Sequence, residues 1–248
     1  LARFPAYHGA TDDILALARR SPDREICGYV DACGVAVSVP NIHPSPSDAW
    51  RIASGEIPDD ALGVFHSHPC GPSAPSGPDM QYAYTSALPQ AIATLDDVFW
   101  FGDGVPVAPL IGRAFRHGVT DCYELIRDTY SELWGVSLPY IPREWNWWKR
   151  GGDLYNDGFK DAGFAVIDST DILPGDVLLF SIHTAQPMHA AIWLGRDLIL
   201  HHMSGKNPYD PERLSKVESI DRWGRFITKA LRYENDPLDR TACQKIRL

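Results

Sequence analysis

A chain of 248 residues, 44% hydrophobic and 22% charged, is long enough for one large core or two compact ones, and its 8 Trp, 10 Tyr and 9 Phe argue against disorder. Its formal net charge of −9 repels phosphate backbones, which argues against nucleic acid as a partner. No stretch approaches the ~20 consecutive apolar residues that cross a bilayer, so no membrane insertion is expected.

The opening Leu-Ala-Arg-Phe-Pro lacks the apolar core of a leader peptide, so delivery outside the cytoplasm would need another carrier. Residues 13–20 form an amphipathic helical run, capped by Thr11 or Asp12 and ended by Ser21-Pro22. Apolar runs 26–30 and 34–39 read as a hairpin. Residues 61–65 read as a buried strand, followed by a Pro/Gly/Ser-rich loop over 69–78 and a helix over 79–87. A second hairpin is predicted from 92–95 and 98–101. Two prolines within 105–110 mark a linker between domains at 1–105 and 106–248. Beyond it, 122–133 has strong helical periodicity, and 154–162 suggests another helix. Residues 176–182 form an apolar run, and 190–194 with 198–202 form a strand pair. Trp145-Asn146-Trp147-Trp148 would bind sugar or a partner if exposed; the favoured reading is core or subunit contact. The polar segment 234–248 has little periodicity and is expected to order only on a partner.

Five cysteines, Cys27, Cys33, Cys70, Cys122 and Cys243, are odd in number, irregularly spaced and without a C-x-x-C pair. This is no disulfide framework; it points to a reducing cytosol, with at least one thiol kept for chemistry.

His66 and His68 close the 61–65 strand. Side chains two apart on a strand share a face, so both imidazoles can hold one ion. Ser76 and Asp79 follow, the latter at a helix start. Two imidazoles and a carboxylate leave one tetrahedral position open for water, as in catalytic zinc sites. Glu25, before Ile26-Cys27-Gly28, can serve as the base, and Ser76 can donate to an oxyanion. The pattern H-x-H-x7-S-x2-D with an upstream E-x-C-G resembles the JAMM (MPN+) metalloproteases over about residues 10 to 105. That resemblance implies a mixed sheet flanked by helices, Zn2+ on His66, His68 and Asp79, Glu25 as general acid/base, Ser76 as transition-state support, and peptide or isopeptide cleavage.

Gly118-Val119-Thr120-Asp121-Cys122 leads into the strongest helix. A first-turn cysteine feels the helix dipole and unpaired amides, which lower its pKa and can serve an oxyanion. His189 begins a strand able to cross that helix end, and His201, twelve residues on, can orient it from the next strand; His202 faces the other way. D-C, then H-x-x-I-x-L-G, then a polar residue about twelve on resembles the NlpC/P60 peptidases over about residues 110 to 235. This implies a papain-like α+β domain with Cys122 as nucleophile, His189 as base and His201 as orienting residue. It also implies cleavage of peptidoglycan stem peptides, typically at a D-γ-glutamyl–diaminopimelate bond. Asp121-Cys122-Tyr123-Glu124 replaces the family's common D-C-S-G.

The two motifs in this order, with Gly112 to Gly118 before the Asp-Cys, are similar to the K-like tail-assembly proteins of siphophages. That resemblance implies an α+β, two-domain wall peptidase at the virion tail tip, made in the host cytoplasm and acting in the periplasm. Tail-tip hub or central-fibre proteins would be its partners. Two other readings stand beside it: a tail-tip scaffold with vestigial sites, and a JAMM-type isopeptidase outside any phage.

Overall fold

The computed structural model describes residues 7–235 and 238–246. The opening pentapeptide read above for a leader lies outside the described residues, as do 236–237 and 247–248 of the C-terminal segment. The chain divides between Val107 and Ala108 into two compact units. No helix among the described residues is long and apolar enough to cross a membrane.

In the first unit, strands β1 (Cys27–Val30), β2 (Ala36–Val39), β3 (Gly63–Ser67), β4 (Gln90–Ala93) and β5 (Val98–Phe101) form one sheet in the order β2-β1-β3-β4-β5. It is mixed, because β3 and β4 run parallel while the other neighbours are antiparallel. The parallel pair needs a crossover, which helix α2 (Gly77–Ser86) supplies. All five residues of β3 are buried, as befits a central strand. Helix α1 (Thr11–Arg19) buries Ile14 and Ala18, four apart on one face, with Tyr7, Phe65 and Trp100. Its N-cap position is Ala10, without a side-chain cap. The side-chain cap expected from Thr11 or Asp12 is therefore absent; the Thr11 hydroxyl donates to the His8 carbonyl (2.7 Å) and accepts from the Trp100 indole (3.1 Å). Gly28 is required by packing, because a Cβ there would lie 2.1 Å from the Val37 carbonyl oxygen and 2.5 Å from the Phe65 ring.

The second unit holds a six-stranded antiparallel sheet built from β7 (Phe164–Ile167), β8 (Val177–Phe180), β9 (His189–Gly195), β10 (Leu198–His201), β12 (Lys216–Ser219) and β13 (Ile227–Tyr233). Its order is β12-β10-β9-β8-β13-β7. A separate ribbon pairs β6 (Ala114–Arg116) with β11 (Tyr209–Leu214). Helix α3 (Cys122–Trp134) packs on β9, the arrangement expected of a papain-like domain. Alternation along the strands sorts the core into two faces. Leu179, Ala190, Ile192 and Leu231 meet Leu125, Ile126 and Tyr130 of α3, while Leu178, Phe180, Ala191 and Ala230 pack opposite. The helix expected over 154–162 is only the short α4 (Leu154–Gly158). Gly158 and Gly163, the latter at φ +86°, favour turns over helix there.

The segment 238–246 corrects the expectation of a tail ordered only by a partner. Arg240–Ile246 forms a 3-10 helix that buries Ala242, Cys243 and Ile246, the last two in the unit's core. Arg240 bonds the Pro174 carbonyl (2.6 Å) and Asp176 (3.0 Å), and the Trp134 indole donates to the Asp239 carbonyl (2.8 Å). The buried anchors of this segment are too sparse to form a periodic pattern in sequence.

Candidate active sites

His66 is the fourth residue of β3, and His68 follows one residue past its end. Ser76 caps α2 and Asp79 answers from its third position. The Asp79 amide donates to Ser76 Oγ (3.3 Å), while Ser76 N–H and O–H donate to Asp79 Oδ2 (2.8 and 2.6 Å). This capping box turns the carboxylate toward the histidines. His66 Nε2 lies 3.2 Å from Asp79 Oδ1, His68 Nε2 lies 3.4 Å from Oδ2, and the two Nε2 atoms are 3.1 Å apart. Ligands about 2.0–2.1 Å from a tetrahedral zinc are separated by about 3.3 Å, so the donor set fits such an ion. The three side chains are buried and offer ligand atoms within 4.8 Å of one another.

The surroundings orient these three side chains. His68 Nδ1 lies 3.1 Å from the Pro72 carbonyl, which can only accept. The proton is therefore on Nδ1, and Nε2 presents its lone pair inward. His66 Nδ1 is buried without a hydrogen-bond partner. Trp50 orients that ring instead, stacking on it at 4.9 Å and 22° while its indole N–H donates to Asp79 Oδ1 (3.2 Å). Tyr82 meets the Trp50 ring edge-on. Burial holds His66 below the usual imidazole range against the pull of Asp79. In His68 the same burial is outweighed by Asp79, and its pKa is raised. Burial would raise Asp79, but the two imidazoles hold it far below the usual carboxylate range. Paired bonds between Ile26 and Ser67, N–H to Oγ (2.9 Å) and N–H to carbonyl (3.0 Å), set the preceding residue, Glu25, beside the histidine end of β3. Burial pushes the Glu25 carboxyl up to about 7, opposed by His68 and reinforced by Asp79 and Asp48. The Ser76 hydroxyl donates its hydrogen bond to Asp79 and so braces that carboxylate.

In the second unit Cys122 opens α3 behind an Asp121 cap. Asp121 Oδ1 accepts from the Tyr123 and Glu124 amides (3.0 and 3.1 Å), so these two first-turn donors are spent on the cap rather than free for an oxyanion. Arg143, buried, grips both Asp121 oxygens (2.8 and 2.7 Å) and reaches Glu124 (3.3 Å). Cys122 Sγ lies 3.3 Å from the Tyr155 hydroxyl and accepts from the backbone of Ala190, beside His189. The dipole effect expected to lower this thiol's pKa loses to desolvation. Burial, reinforced by the charge of Asp121, pushes it up to about 11.

Cys122 and His189 line one cavity. His189 Nε2 lies 3.1 Å from His201 Nδ1, and His201 Nε2 lies 2.7 Å from Glu218 Oε1. The β9–β10 register pairs His201 with Ala191, two residues from His189, so the histidines are diagonal neighbours on one face rather than directly opposed. Burial holds His189 well below the imidazole range and lowers His201 to about 4. His202 faces away and contacts the carbonyls of Thr120 and Arg213, bracing the turn before Cys122. Neither pure core nor open surface, Trp145, Trp147 and Trp148 are half-buried in the cavity wall with Tyr155.

Trp50, Arg143, Tyr155 and Glu218 escaped sequence reading. For Arg143 a signal existed, a lone arginine in an apolar and aromatic stretch; the others carry no local pattern.

The family model for prokaryotic homologs of the JAB domain matches residues 8–103, and that of the NlpC/P60 family matches 112–223. The chain thus joins a JAB-like unit to an NlpC/P60 unit of the cysteine peptidase class of hydrolases. It is 38% identical over 182 residues to the tail tip assembly protein K of Escherichia phage lambda, covering 73% of this chain and 84% of that protein. With the protein K of Escherichia phage N15 it shares 26% identity over 252 residues, covering 94% and 98%. The chain belongs to the tail tip assembly protein K family. Among solved structures, it is similar to the NlpC/p60 domain of the peptidoglycan hydrolase SagA, at 20% identity and a TM-score of 0.34, covering 50% of this chain and 89% of that one.

Proposed function

We propose that the chain is a virion tail-tip component whose second unit cleaves peptidoglycan stem peptides as the wall is opened. The observation that carries this reading is that Cys122 and His189 line one cavity, with His189 backed by His201. His189 takes the thiol proton as Sγ attacks the scissile carbonyl, then returns it to the leaving amine; water releases the resulting thioester. Thiol and imidazole are both neutral at rest, so the proton moves as the sulfur attacks rather than before it. Tyr155, 3.3 Å from the sulfur, is placed to donate to the developing oxyanion. The bond class favoured is D-γ-glutamyl–diaminopimelate. The tail-tip role follows the relatives, both named tail tip assembly protein K, with hub or central-fibre proteins as partners and the host periplasm as the place of action.

In the first unit, His66, His68 and Asp79 would hold zinc, with domain limits near 1–105 and 106–248. When bound there, zinc would supply Lewis acidity and a water ionisable near neutral pH. Glu25, poised at about 7, accepts and returns a proton near neutrality, and Ser76 and Trp50 hold the Asp79 carboxylate in place.

The test is release of peptide fragments from purified murein, read by mass spectrometry. Cys122→Ala should reduce release at least ~10³-fold, with chelators leaving it unchanged. No release by the unaltered chain would favour the scaffold reading, to which the high thiol pKa lends support.

A further inference from the structure

We propose that Glu218 is a positioning residue of the thiol site: by accepting a hydrogen bond from His201 it fixes the tautomers of both histidines and leaves a lone pair on His189 for Cys122. The proposal rests on the reading of Cys122 and His189 as the reacting pair.

The register puts the groups on one face of three adjacent strands. His201 on β10 pairs with Ala191 on β9 and with Lys216 on β12. His189 and Glu218 are each two residues from those partners, so both point to the side His201 occupies. The hydrogen bonds then follow as a sequence of forced choices. An ionised carboxylate only accepts, so His201 Nε2, 2.7 Å from Glu218 Oε1, carries the proton. A neutral imidazole has one N–H, so His201 Nδ1 bears a lone pair. His189 Nε2, 3.1 Å from it, must donate, and His189 Nδ1 is left unprotonated. Without the carboxylate the opposite order is equally available. His201 Nδ1–H would then donate to His189 Nε2, and His189 would present N–H toward the thiol, useless as a base.

Glu218 is itself held in place. Lys216 Nζ lies 2.8 Å from Oε2, and the Trp223 indole donates to Oε1 (2.7 Å). The Trp223 ring also meets the His201 ring edge-on at 5.3 Å. These bonds, with the neighbouring His201, outweigh burial and keep the carboxyl below its ordinary pKa, hence ionised at neutral pH.

The experiment uses the full chain labelled with 15N-histidine, with side-chain nitrogen shifts read at pH 7 and alkylation of Cys122 by iodoacetamide followed by peptide mass mapping. In the unaltered chain both His189 and His201 should show the Nε2–H tautomer. Glu218→Gln should populate the Nδ1–H form of both and slow Cys122 alkylation by about 100-fold, the scale of a lost general base. Lys216→Met, which loosens the carboxylate without removing it, should give a smaller effect in the same direction. Unchanged tautomers in Glu218→Gln overturn the proposal whatever murein digestion shows. Redistributed tautomers with slowed alkylation uphold it even if no murein is cut, an outcome that sinks only the catalytic reading.

Discussion

His201 is fully buried, and desolvation lowers it to about 4, against 6.5 for a free imidazole. The folded chain therefore binds fewer protons than the unfolded chain between those values. Stability is fully present above pH 6.5 and drains away as pH falls toward 4, by about 3 kcal/mol for this residue alone. His189 is shifted the same way and adds to the loss. Urea unfolding followed across that range should show this acid limb, and a flat profile would contradict it. Cys122 acts at the other end, its neutral form favoured by folding, so stability falls as pH rises from 9 through about 11. The histidines, the cysteine and Asp79 were readable in sequence because strand period and helix start dictate which side chains converge. Glu218 was not, because Lys-Val-Glu-Ser is a weak strand pattern in which one carboxylate looks solvated.

At the scale of elements, the start of α3 carries both Cys122, the proposed nucleophile, and a buried ionic knot. Asp121 joins the helix cap, the Gly118 amide (2.8 Å) and Arg143. Asp121→Ala would free the cap and leave Arg143 paired with the carboxylate of Glu124 and the Ile141 carbonyl, a cost of about 3–5 kcal/mol measurable as a lower urea midpoint. The hairpins and α1 to α3 were legible because they bury one face with regular spacing. The short β6, the exposed β11 with Pro211, and β12 were not, since they are stabilised by pairing to strands far along the chain rather than by their own composition. The same holds for β13, which pairs with both β7 and β8.

For the whole molecule, one polypeptide carries both constellations, so every copy brings them in equal number. A ligand that binds only the folded state stabilises the unit that holds it. Zinc at 100 times its Kd should add about 2.7 kcal/mol to the unit containing His66, seen in calorimetry as a rise in the transition of that unit. Trp50→Phe, which keeps a ring on His66 but removes the bond to Asp79, should weaken zinc binding about tenfold in a competition titration. No rise in that transition would place the ion elsewhere. The indole rings of Trp145, Trp147 and Trp148 around the Cys122 cavity have a practical consequence. On the proposed mechanism, an acyl group carried by that sulfur sits among native fluorophores, so each turnover should flicker in ultraviolet emission and be timed without a dye.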